Sequence, residues 1–234
     1  MASISEYLTE LLWQKVQEDS PSQVGGGNGL RGNLYFQRLL PLSVWQHDPR
    51  MQLRVRRNYL TVSMRQNLFL TGPKHIGKST ILFSTLLEFP MTVGGFRVDR
   101  VFEGRRLRAF RIIDLATSSA ADISTARKGG WDIHLEAFET VGAEAVRRGI
   151  RCADLVVMDE LGRFELRAYG FRQAVTDALD SPVPVIGVLK EDDNPFLNEI
   201  RSREDTEILE VTEENRDDAK QHVEDWLSRV LAQE

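Results

Sequence analysis

Residues 72–79 read GPKHIGKS, the pattern G-x-x-x-x-G-K-[ST], and no other segment restricts the fold of this chain as tightly. An apolar run, NLFLTG at 67–72, leads into it, and KSTILFSTLLEF at 78–89 leaves it with an apolar stripe at helical spacing. Strand, loop and helix in that order turn successive backbone N–H groups around one concavity, at the positive end of the helix dipole, where an anion binds. Gly72 and Gly77 permit the backbone conformations this needs. Lys78 is placed to reach the β- and γ-phosphates of a nucleotide, and Ser79 to put its hydroxyl on Mg²⁺. Pro73, Lys74, His75 and Ile76 complete the loop, with the His75 imidazole expected to face solvent.

From residue 67 onward apolar strands alternate with helices. FRVDRVFEGRRLRAFRIIDL reads as two strands joined at Glu103-Gly104, HLEAFETVGAEAVRRG as a helix, and ADLVVMDE as a buried strand. YGFRQAVTDALD is a helix, PVPVIGVL and TEILEVT are strands, and ENRDDAKQHVEDWLSRVLA is a closing helix. This alternation predicts an α/β fold with a mostly parallel sheet covered on both faces.

ADLVVMDE supplies the second half of a nucleotide site. Four apolar residues, Leu155 to Met158, end in Asp159 and Glu160. Two carboxylates at the end of a buried strand are costly unless a cation compensates. Asp159 is placed to hold the metal with Ser79, and Glu160 to orient and deprotonate an attacking water. Phosphoryl transfer spreads negative charge over the γ-phosphoryl oxygens, so a positioned cation is expected as well. Arg105, Arg106, Arg108, Arg163, Arg201 and Arg203 are the candidates, with Arg163 first because it lies nearest Asp159 in sequence. Trp131 and Phe138 are read as core aromatics ahead of residues lining the substrate space. Asn215 and Arg216 are read as capping and pairing at the start of the last helix ahead of touching the base.

LFLTGPKHIGKST, GFRVDRVFEGRRLRAFRIIDL, HLEAFE, VVMDELGRFEL, SPVPVIGVL and ILEVTEENRD follow one another at short spacings. In that order they resemble the small P-loop nucleoside-triphosphatase family, which includes thermophilic bacterial and archaeal NTPases and the human cancer-related nucleoside-triphosphatase. The resemblance covers residues 67–234. It implies a three-layer, nucleotide-kinase-like sandwich that hydrolyses several NTPs slowly with Mg²⁺. It also implies phosphate binding by Gly72, Gly77, Lys78, Ser79 and Thr80, and metal and water roles for Asp159 and Glu160. On this reading the catalytic set is Lys78, Glu160 and Arg163. His75 stands where the family usually has Gly, Arg163 stands where it usually has Lys, and residues 1–66 have no counterpart in its minimal members.

Those first residues divide into an amphipathic helix at 1–24, a Gly-rich linker at 25–33 and a basic extension at 34–66 that includes two short strands around Arg56-Arg57. The helix is a candidate surface for a protein partner. Residues 1–66 carry eight Lys/Arg against five Asp/Glu, yet the whole chain has a formal charge of −5. A nucleic-acid partner is therefore allowed but not favoured. At 41% hydrophobic and 28% charged, the chain has material for a core and no 18-residue apolar run for a membrane span. Acids occupy the N-terminal stretch where a signal peptide carries bases, and Cys152 is the single cysteine, so a reduced cytoplasmic setting is expected. Two rival functions remain at this level. One is a kinase passing the γ-phosphate to a nucleotide, a polynucleotide or a small molecule, and the other is a non-enzymatic NTP-dependent switch.

Overall fold

The structure, a computed structural model, describes residues 66–232. The helix at 1–24, the linker at 25–33 and all but the last residue of the basic extension at 34–66 lie outside the described residues.

Strand β1 (Asn67–Thr71) runs into the phosphate loop, and helix α1 (Lys78–Leu86) leaves it. The chain continues through β2 (Val93–Glu103), β3 (Arg106–Asp114), β4 (Ala120–Arg127) and β5 (Gly130–Ile133). A helical turn at Leu135–Ala137 and a π turn at Phe138–Gly142 lead into α2 (Ala143–Cys152). Then come β6 (Leu155–Leu161), a 3₁₀ turn (Phe164–Arg167), α3 (Tyr169–Leu179), β7 (Val185–Leu189), α4 (Pro195–Ser202), β8 (Thr206–Glu210) and α5 (Arg216–Leu231).

One eight-stranded sheet has the order β5-β4-β3-β2-β6-β7-β1-β8. From β2 to β8 every neighbour is parallel, whereas β2, β3, β4 and β5 form an antiparallel meander. The expected parallel sheet is thus extended by strands of the other kind. The parallel half is buried on both faces, and β7 is buried at all five positions. Side chains alternate across a strand. Phe69, Val156, Met158 and Val185 therefore share one core with α2, α3 and α4. The intervening Leu68, Leu70, Val157 and Ile186 are equally buried on the opposite face, where α1 packs with α5. These are the three layers the resemblance implied. Phe138 lies in the core as expected, with its ring centroid 5.4 Å from that of Phe171.

Only β2 residues Val93–Arg97 pair with β6, although β2 continues to Glu103. The β2–β3 hairpin therefore projects past the end of β6, where the two acids stand. β1, β6 and β7 also deliver their C-terminal ends to this edge, the edge of a parallel sheet at which ligands bind.

Candidate functional site

At the end of β1 the chain turns at Gly72, with φ 128°, so close to the segment after β8 that a Cβ would stand 2.3 Å from the Val211 carbonyl oxygen. Gly77, φ 100°, closes the loop as the residue before α1, and a Cβ there would meet Arg216 Nη2 at 2.9 Å. Gly72 is thus required by contact as well as by conformation, and Gly77 by conformation. His75 adopts φ 67° and is exposed as expected, but its Nδ1 lies 3.4 Å from Arg100 Nη1 on β2. Lys78 opens α1 and turns back into the loop, where Nζ donates to the carbonyl oxygens of Gly72 and Pro73, both at 2.7 Å. Burial lowers its pKa, opposed by the charges of Glu160, Glu191 and Asp159. An ammonium held inside the loop and stripped of water is a strong attractor for phosphate.

Strand β6 supplies the acids, and one strand, β7, separates it from β1. Ser79 Oγ nevertheless donates to Asp159 Oδ1 at 2.8 Å, joining the phosphate loop to the acid strand. Burial pushes Asp159 up to about 7, although the Ser79 hydroxyl works against the shift. Glu160, the next residue along, takes another direction: its Oε1 lies 2.7 Å from Lys190 Nζ at the end of β7. The Ser79–Asp159 pair and the Glu160 carboxylate present hard oxygen atoms at one edge of the sheet. Among the described residues no group of three or more His, Cys, Asp or Glu side chains could hold a metal alone.

The candidate arginines fall into different places. Arg203 pairs with Asp180 and Asp205, both at 2.7 Å, and Arg201 donates to the carbonyl oxygens of Lys190 and Asp192, so both brace the fold. Arg108 pairs with Glu103 at 3.0 Å on the hairpin, and Arg105 and Arg106 are exposed there. Arg163 is exposed on the turn after the acids, its guanidinium carbon 5.5 Å from the centre of the Phe164 ring. Trp131 is not a core aromatic: it is half-exposed on β5, ring to ring with Phe110 at 5.0 Å.

Lys190 and Arg100 were not anticipated as site residues. Lys190 carried a signal, since it follows the apolar run of β7 at the strand end that parallel sheets use for ligands. Arg100 carried none, because hairpin packing brings it to the loop. Asn215 stands at the N-cap position of α5, its carbonyl accepting from the Ala219 N–H at 2.8 Å, but its side chain does not cap the helix. Its Oδ1 accepts from the Thr212 backbone N–H at 2.7 Å and its Nδ2 donates to the Glu210 carbonyl at 2.8 Å, fixing the turn between β8 and α5. Between that turn and the phosphate loop lies a cleft of about 450 Å³ lined by Pro73, Lys74, His75, Ile76, Thr212, Glu213 and Glu214.

The family model described as NTPase matches residues 67–224. "Nucleoside-triphosphatase THEP1" of Methanosarcina acetivorans is 34% identical over 171 residues, covering 69% of this chain and 97% of that relative. The protein of the same name from Thermotoga maritima is 32% identical over 156 residues, 64% of this chain and 88% of the relative. Among solved structures, THEP1 from the hyperthermophile Aquifex aeolicus superposes with a TM-score of 0.58 at 25% identity, over 67% of this chain and 96% of its own. A human cancer-related nucleoside triphosphatase superposes with a TM-score of 0.57 at 26% identity, over 72% and 98%.

Proposed function

Because the chain belongs to the NTPase family, we propose that it is a nucleoside-triphosphatase that converts NTP to NDP and phosphate with Mg²⁺ at the loop of residues 72–80. The observation that carries this reading is the pairing of a buried, loop-held Lys78 with the Ser79–Asp159 link across β7. Phosphate oxygens entering the loop take over the Lys78 donors now spent on Gly72 and Pro73. The base would lie in the cleft between the phosphate loop and the turn at Thr212–Glu214, and broad base specificity with slow turnover is part of this reading.

The donor set fits Mg²⁺, which prefers oxygen and typically takes one or two protein groups, phosphates and water rather than an all-protein cage. Ser79 and Asp159 would hold it, and bound there it would neutralise charge on the β- and γ-phosphates. Glu160 does the proton work. Lys190 bonds its Oε1, which fixes the carboxylate and leaves Oε2 to accept a proton from the attacking water. Water oxygen bonds to the γ-phosphorus, the bond from that phosphorus to the β-bridging oxygen breaks, and NDP departs. Arg163 is the proposed cation for the charge that develops on the γ-phosphoryl oxygens.

No described helix is long and apolar enough to cross a membrane, and the free Cys152 is exposed. A reducing, cytoplasmic setting suits that thiol. Phosphate release from ATP, GTP, CTP and UTP with Mg²⁺ tests the function directly. Turnover is expected to fall about 10²- to 10⁴-fold in Glu160→Gln with nucleotide binding retained, and binding itself to be lost in Lys78→Ala. Intact nucleotide binding with no turnover from any of the four would sink the hydrolase reading.

A further inference from the structure

The β2–β3 hairpin that overhangs the acids meets aromatic rings that hydrolysis does not use. Arg100, on the overhanging part of β2, touches His75 of the phosphate loop at 3.4 Å and is the cross-strand partner of Phe110 on β3. The Phe110 ring lies 5.0 Å from that of Trp131 on β5 and 6.2 Å from that of Phe164, on the turn after β6. Over the Phe164 ring stand two cations, the Arg163 guanidinium at 5.5 Å and the Lys190 ammonium at 5.8 Å. Lys190 in turn bonds Glu160 at 2.7 Å. Contacts therefore run from the phosphate loop, along a wall of three rings, and back to the carboxylate beside the γ-phosphate position.

Phe110 and Phe164 pack against the core, yet the wall they form with Trp131 is not fully covered. Phe138 and Phe171, which serve the core, are fully buried, whereas Phe110, Trp131 and Phe164 are each part-exposed. The wall also lies away from the cleft that would take the base of the bound NTP. That cleft is formed with the segment after β8, at the opposite end of the sheet from β5. Part-exposed aromatic rings with cations beside them match one kind of ligand, an aromatic base carrying a phosphate.

We propose that this wall binds a nucleoside monophosphate as a phosphoryl acceptor, its base on Phe110, Trp131 and Phe164 and its phosphate against Arg100, Arg163 and Lys190. The proposal rests on the NTPase reading, because the donor is the NTP held in the phosphate loop. An oxygen of the monophosphate bonds to the γ-phosphorus, the bond from that phosphorus to the β-bridging oxygen breaks, and two nucleoside diphosphates result. A monophosphate dianion brings no proton to remove, so the step runs with Glu160 still paired to Lys190. What it requires is positive charge between two anions, which the three cations supply.

The full chain with Mg²⁺ and γ-labelled ATP, mixed in turn with AMP, GMP, CMP and UMP, tests this by whether label appears in a diphosphate or in free phosphate. With at least one monophosphate, the diphosphate is expected to become the main labelled product. Trp131→Ala should raise the half-saturating concentration of that monophosphate by about tenfold, toward the low end of what one base–aromatic stack contributes. Trp131→Phe, which keeps a ring, should restore it. Label released only as free phosphate with all four would overturn the acceptor site and leave hydrolysis standing. Labelled diphosphate whose formation is indifferent to Trp131→Ala would overturn the placement on the wall. Label in neither product would overturn hydrolysis along with the acceptor.

Discussion

Glu165 is a buried carboxyl group that the reaction does not use. It is 4% exposed in the turn after the acids, where its Oε2 accepts from the Gly162 backbone N–H at 3.2 Å. Burial pushes it up to about 7 from the ordinary 4.5, against the pull of that amide and of Lys190. A raised carboxyl pKa means that the folded chain keeps a proton the unfolded chain has already lost. The group therefore costs no stability below the unfolded value, costs progressively more as pH rises to the folded value, and holds a constant cost above it. Glu165→Gln keeps the shape and the acceptor but cannot ionise. Thermal melts should show the variant level with the parent near pH 4 and more stable at pH 8, by up to about 3 kcal/mol. A difference that does not change with pH would mean that Glu165 stays charged in the fold. At this scale the legible residues were those whose chemistry lies in local spacing. Lys78, Ser79, Asp159 and Glu160 each belong to a motif within one strand or loop. Lys190 and Arg100 reach the site only because β7 and the hairpin fold beside it.

The elements that escaped sequence reading are those with the least periodic signal. Strand β4, AADISTAR, has small and polar residues where an apolar alternation would announce a strand, and its partner β5 has four residues. β4 forms because β3 offers it an edge to pair with, and β5 pairs with β4 in turn. Helix α4 carried good end signals, Asn194 bonding the Leu197 backbone N–H at 2.9 Å and Pro195 in the first turn, but it is eight residues long. The buried parallel strands were legible because they are continuous apolar runs. One of them, β7, sets the distance between the two halves of the site. A Cβ at Gly187 would stand 2.5 Å from the Met158 carbonyl oxygen of β6 and 2.7 Å from the Phe69 ring of β1. Gly187→Ala must push these two strands apart, at a cost of about 2–3 kcal/mol in denaturant unfolding. The same displacement should lengthen the Ser79–Asp159 link, so NTP turnover is expected to fall further than binding does. A variant as stable as the parent would show that the sheet absorbs a methyl group there.

At the scale of the molecule, every group assigned to the reaction lies within residues 72–190, on the eight-stranded sheet of the described residues. The chain spans nearly the full length of its relatives, 97% of the Methanosarcina acetivorans protein and 98% of the human one, with residues to spare. Those spare residues include the amphipathic stretch at 1–24 and the basic run at 34–66, which lie outside the NTPase match at 67–224. A region with no counterpart in a working relative is not needed for the shared chemistry, so it is expected to act on where or with whom hydrolysis occurs. Deleting residues 1–65 should leave kcat and KM for NTP within about threefold of the full chain, a change below 1 kcal/mol in transition-state stabilisation. Steady-state phosphate release, with circular dichroism to check folding, makes the comparison. A deletion that folds but loses turnover more than about tenfold would place part of the catalytic apparatus in the first 65 residues. That outcome would separate this chain from relatives that work without such a segment.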